Sequence, residues 1–229
     1  MKQNQPDWRN RGFSLIEAML VTFILAVLIA VFLPRLMRPR RVSRIGCVNN
    51  QKQIGLAFRS WAGDNGDKFP MELSVTNGGT KELVGGHSVY VHFRVMSNEL
   101  STPKVLFCPN ETNAKRKPAI VFDIGTPLGA VQIPLTNDLS VSYFIGMDAN
   151  QTNSAMILSG DDNLTVAGKP PKPGLLPLWT NTPVAWTSKR HDSHGNVALA
   201  DASVRVPNNQ EFRQILNNTG HATNRLAMP

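Results

Sequence analysis

The chain changes character three times along its length. Residues 1–12 are polar, with Lys2, Arg9 and Arg11 against Asp7, and end at Gly12. From Phe13 to Leu33 runs an unbroken apolar stretch whose one charge is Glu17. A helix of that length covers about 30 Å at 1.5 Å per residue, the thickness of a bilayer core, so the pattern predicts a membrane span. Beyond it the pattern becomes periodic. Cys47, Ile54 and Trp61 recur at heptad spacing with Phe58 in the same stripe, while Asn49, Asn50, Gln51, Lys52 and Arg59 fall elsewhere. This predicts an amphipathic helix over 45–62, ended by the cap and turn residues Gly63, Asp64, Asn65, Gly66 and Asp67. Pro34 and Pro39 each remove an amide donor, so span and stem read as one bent helix with room for a break near Pro39.

From Gly63 onward the elements are short. Fourteen glycines and thirteen prolines punctuate this part of the chain and make loops dominant. Val89 to Leu100 keeps helical spacing. Val141 to Ile145, Ala155 to Leu158 and Val184 to Thr187 read as strands, and Asn196 to Ala200 and Ser203 to Val206 flank a hairpin turn at Asp201-Ala202. Gln210 to Leu216 reads as a helical turn or two, and Lys169 to Gly174 as a proline-rich extended loop. The predicted class is α+β, a long N-terminal helix packed on a small antiparallel sheet with a loop-rich head.

Three explanations compete for the segment 1–33. A cleaved secretory signal has a shorter apolar core and a small-residue cleavage site, which this run lacks. A plain uncleaved anchor explains the length but leaves Glu17 inside a bilayer at about 2.5 to 3.5 kcal/mol. The third explains both. Gly12-Phe13-Ser14-Leu15-Ile16-Glu17, with its basic leader and unbroken apolar helix, resembles the leader junction of type IV pilins and type II secretion pseudopilins. The resemblance implies cleavage by a membrane peptidase after Gly12, methylation of the new terminus at Phe13, and a mature chain running from Phe13 to Pro229. It also gives Glu17 a partner, the free amine of Phe13 on a neighbouring subunit, which turns a buried charge into an assembly contact. The organisation then reads as leader 1–12, transmembrane half of the helix 13–33, basic collar and amphipathic half 34–62, and pilin-like periplasmic head 63–229.

Charge changes the picture less than its total suggests. The chain carries +8 with a pI near 9.9, a balance that points first to nucleic acid or anionic lipid. The leader holds +2 of it and the segment 13–45 holds +4 through Arg35, Arg38, Arg40, Arg41 and Arg44, leaving +2 for the rest. The head is nearly neutral and no nucleic acid is expected. The arginines read as a collar on lipid headgroups at about 1 kcal/mol each. Five of them beyond the span run against the usual positive-inside bias, and in the pilin resemblance the secretion route sets the orientation instead.

Cys47 and Cys108 are too few for a disulfide-dense scaffold or a four-cysteine zinc site. In a periplasmic head they form one bridge closing about 62 residues and stabilising by roughly 4 kcal/mol; otherwise they are two buried thiols. His191 is followed after nine residues by Asp201. This resembles the C-terminal His, nine residues, Asp-Gly element of prepilin-like proteins from planctomycete and verrucomicrobial lineages, as does the stretch from Met96 through Pro109. Ala202 stands where that element has glycine, so its turn either accepts alanine or is strained. His191 is expected to pin the hairpin through the backbone and Asp201 to cap the turn. His191, Asp192, Asp201 and Ser203 hold the raw material of a triad, but no nucleophile elbow accompanies them, and no catalysis is expected. Asp161-Asp162-Asn163 and Asp64-Asn65-Asp67 offer oxygens of the kind calcium takes without completing a calcium loop, and no cofactor is expected.

The expected protein is thus a pseudopilin or minor pilin of a type II secretion or type IV pilus-like filament, single-pass in a bacterial inner membrane. Its expected partners are prepilin peptidase, membrane lipid, the assembly machinery and other pilin-like subunits. The alternative is a signal-anchored envelope protein whose head binds a ligand or glycan or performs hydrolysis.

Overall fold

The computed structural model describes residues 14–36, 40–86, 88–123 and 133–229. The leader, Gly12, Phe13, the break expected near Pro39 and the side chains of Arg35, Arg38, Arg40 and Arg41 lie outside the described residues. The chain forms two compact units, Met1–Pro39 and Arg40–Pro229. The expected amphipathic half falls within the second unit.

The first unit holds α1, Leu15–Leu36, which runs through Pro34. Its start is capped from both sides. The Ile16 amide donates to Ser14 Oγ at 3.3 Å and the Ser14 amide donates to Glu17 Oε2 at 3.0 Å. Thr22, the hydroxyl within α1, donates back to the Ala18 and Met19 carbonyls at 3.0 Å. Among the described residues no helix is long and apolar enough to cross a membrane.

The second unit opens with α2, Arg40–Asp64. Cys47, Gln51, Ile54, Phe58 and Trp61 are buried along one side, and Lys52, Gln53, Leu56, Arg59 and Ser60 are exposed on the other. Its end is made by the turn residues: Asn65 and Asp67 amides donate to the Ala62 carbonyl, and Gly66 and Asp67 take positive φ.

Eight strands follow among the described residues. They are β1 (Tyr143–Gly146), β2 (Ile157–Asp161), β3 (Leu164–Val166), β4 (Gly174–Trp179), β5 (Val184–Trp186), β6 (Val197–Leu199), β7 (Val204–Arg205) and β8 (Thr223–Met228). Six form an antiparallel sheet in the order β4-β8-β1-β2-β6-β7, and β3 and β5 pair separately. The strand period of two divides the core. Tyr143, Ile145, Leu158 and Ala227 join the apolar side of α2, with Phe58 at its centre. Phe144, Ile157, Leu226 and Met228 face Trp186 of β5 and Phe212 of the last helix. The sheet is thus covered on both faces, by α2 on one and by β3-β5 with the C-terminal helix on the other.

The expected helix from Val89 to Leu100 is two short ones, α3 (Tyr90–Arg94) and α4 (Ser97–Leu100), because Met96 leaves helical geometry at φ −101°, ψ 28°. Asp138 caps α3 through the Val89 and Tyr90 amides at 3.1 and 2.7 Å. A single helical turn, α5, covers Ser188–His191. The last helix, α6 (Asn209–Asn218), begins with an Asn208/Glu211 capping box.

Candidate functional site

At the N-terminus, Glu17 sits in the first turn of a helix whose described side chains are all exposed, Leu15, Ile16 and Phe23 among them at 78, 73 and 71%. A contiguous apolar surface of that size on a monomer marks a surface meant to be covered by lipid or protein.

The head gathers its polar residues at one place. α5 ends with Asp192 and Ser193 both at positive φ, 51° and 63°, and this turn directs Arg190 and His191 inward. Arg190 donates to Glu111 Oε2 at 2.6 Å, to Asp162 Oδ1 at 2.7 Å and to the Ser142 carbonyl at 3.2 Å. Arg116 reaches the same two carboxylates, at 3.2 Å from Glu111 Oε2 and in closer contact with Asp162 Oδ2. Two guanidinium groups and two carboxylates therefore satisfy one another in a nearly dry setting. Burial opposes the charge on Glu111, but Arg190, the Asn113 amide, the Ser142 hydroxyl and Arg116 outweigh it and hold the carboxyl down to about 2. Burial also opposes the Arg190 charge, and Asp162 and Glu111 more than offset it. A cleft of about 360 Å³ opens over the network, lined by Lys189, Pro170 and Pro171 as well as the paired groups.

Beside it lies the disulfide. Cys47 of α2 and Cys108 are bonded, with Cα atoms 5.4 Å apart. His191 Nε2 stands 3.4 Å from Cys108 Sγ and 3.4 Å from Asp161 Oδ2. Asp161 Oδ2 also accepts from the amide and side chain of Asn196, each at 2.8 Å. Complete burial raises the Asp161 carboxyl to about 7, against the pull of Arg190 and Asn196. Burial, with the charges of Arg190 and Arg44, lowers His191 to about 4.

The structure departs from the expected role of His191, which contacts the bridge rather than the hairpin backbone. The hairpin is held instead by α2: Lys52 Nζ donates to the Ala202 carbonyl at 2.9 Å and Arg59 to the Ala200 carbonyl at 3.5 Å. Asp201 Oδ1 accepts from the Ser203 amide at 2.8 Å, which closes the turn. Ala202 takes φ 61°, the strained alternative, with its methyl packed against Gly55, where a Cβ would come within 3.0 Å of it. The raw material of a triad is thus not assembled: His191 meets Cys108 and Asp161, and Asp201 serves the turn. Of the oxygens of 161–163, Asp161 Oδ2 accepts from Asn196 and the Asp162 carboxylate from arginines, while Asp161 Oδ1 and Asn163 Oδ1 are buried without a hydrogen-bond partner and the Asn163 side-chain amide donates to the Thr187 and His194 carbonyls. Asn65 Nδ2 is spent on the Trp61 carbonyl.

Glu111, Arg116 and Arg190 escape sequence reasoning because the network is closed by long-range contacts. Arg190 meets Asp162 and Glu111 across 28 and 79 positions, and Arg116 meets Asp162 across 46. No local spacing marks them. No curated protein and no solved structure matches the chain. Residues 9–33 do match a family model, the prokaryotic N-terminal methylation motif, a match consistent with a prepilin-type segment of the type IV pilin-like kind.

Proposed function

We propose that the protein is a structural subunit, a pseudopilin or minor pilin, of a type II secretion or type IV pilus-like filament. The observation that carries this reading is the methylation motif over 9–33 coinciding with an exposed apolar helix that bears one carboxylate in its first turn. Prepilin peptidase cuts after Gly12 and Phe13 is methylated. The apolar run from Phe13 to Leu33 holds the precursor in the inner membrane with its head outside. On assembly the same surface packs on neighbouring subunits, and Glu17 exchanges the Ser14 amide of its own chain for the Phe13 amine of the next. The head is pilin-like and non-enzymatic in this reading: Glu111 and Asp162 are paired with Arg116 and Arg190, and Glu111, ionised at neutral pH, has no proton to exchange there.

The test is fractionation of the native host. A filament subunit is recovered with the other pilin-like proteins in sheared surface filaments or in envelope pseudopili. Recovery solely as a dispersed membrane protein, with turnover or ligand binding by the head, favours the tethered-head alternative.

A further inference from the structure

The surroundings of the Cys47–Cys108 bridge hold more polar donors than a structural disulfide requires. Cys47 and Cys108 Sγ and a ring nitrogen of His191 all lie within 4.8 Å of one another. Asp161 Oδ2 is 3.4 Å from His191 Nε2, and Nε2 is 3.4 Å from Cys108 Sγ. In a tetrahedral zinc site with bonds of about 2.0 to 2.3 Å, neighbouring ligands are separated by roughly 3.3 to 3.8 Å. The Nε2–Cys108 Sγ spacing falls in that range. The three residues come from separate parts of the head, α2, the loop at 108 and α5, and none exceeds 2% exposure. His191 Nδ1 is buried without a hydrogen-bond partner, so the protein's own hydrogen bonds do not account for both ring nitrogens.

We propose that, with the bridge reduced, Cys47, Cys108 and His191 form a three-ligand site for a divalent metal of the zinc class. A dithiol or phosphine reductant supplies two electrons, the S–S bond breaks, and each sulfur takes a proton. Metal binding then displaces those two protons, so the ligands are two thiolates and one imidazole. The metal takes the lone pair of one ring nitrogen and the ring proton sits on the other. The set carries −2 against +2 and is neutral. Oxidised, the head is held by the bridge; reduced, the metal joins the same two elements. The site does not rest on the filament reading and stands or falls separately.

Cobalt(II) is the probe. The full chain in detergent micelles, reduced by a phosphine under argon, is titrated with Co²⁺ beside the oxidised chain. The reduced chain is expected to bind one equivalent, with a thiolate-to-cobalt charge-transfer band and the intense visible bands of tetrahedral cobalt, bleached by Zn²⁺. The oxidised chain shows neither. His191→Ala is expected to weaken binding at least about tenfold. A reduced chain that binds no cobalt, or binds it with unchanged affinity and spectrum in His191→Ala, overturns the proposal. Near-ultraviolet circular dichroism covers the case in which reduction loosens the head: recovery of the signal on adding metal supports the site, and its failure to recover counts against it.

Discussion

The two long helices, α1 of 22 residues and α2 of 25, are stabilised from different places. α1 has no polar face, and each of its described side chains is exposed in the single chain. α2 alternates, and its apolar side is the floor of the main core. An amphipathic helix finds its partner within its own chain, whereas a helix apolar all round must find it outside. Substitutions in α1 should therefore act on assembly and leave folding alone, and substitutions in α2 should do the reverse.

The largest effect expected is on assembly. Glu17→Ala should leave insertion and head stability unchanged but lower filament incorporation at least about tenfold, measured by immunoblot of sheared fractions, since removing one partner of a buried charge pair costs about 3 to 5 kcal/mol. Unchanged incorporation would remove the role assigned to Glu17. The mirror experiment is Phe58→Ala. Phe58 is fully buried, edge-on to Phe69 and Phe93 with centroids at 5.7 and 6.2 Å. Denaturant unfolding of the head should show a loss of about 3 to 5 kcal/mol, with membrane association unaffected.

Next in size is a pH effect confined to the head. Glu111 has its folded pKa depressed from 4.5 to about 2, so its contribution is present above pH 4.5 and is lost as pH falls toward 2. The difference in unfolding free energy between the natural chain and Glu111→Gln should be up to about 3 kcal/mol at pH 7 and shrink through that window. His92, lowered by burial from 6.5 to about 4, adds a loss in the same direction between those values. The smallest effect joins α2 to the hairpin. Gly55→Ala should cost about 1 to 2 kcal/mol alone and less when combined with Ala202→Gly, because that change removes the methyl at 3.0 Å while the Ala202 Cα at 3.1 Å stays. Simple additivity in the double variant would mean that the two do not touch as described.

Some of this was readable from residue order and some was not. The stripe from Cys47 to Trp61 marks α2 because helical periodicity is local, and a strand such as Val184–Trp186 stands out by its β-branched and aromatic content. β8 escapes notice: Thr223 to Met228 has no clean alternation, being sandwiched between β4 and β1 and covered on both faces. β4 escapes because Pro177 within it speaks against a strand, and the proline is tolerated because β4 is the edge. The alanine at 202 is visible as an oddity, but the glycine that accommodates it lies far earlier in the chain, at position 55 on α2. The same holds for Arg190 and His191, whose partners are assembled by topology.

The central claim is the pilin-like fate of the N-terminus, and the mass of the mature protein from its native membranes tests it most directly. The account predicts loss of the leader, Met1 through Gly12, and a new terminus at Phe13 carrying one methyl group on its amine. A terminus at Met1, or cleavage at any other position, would contradict it.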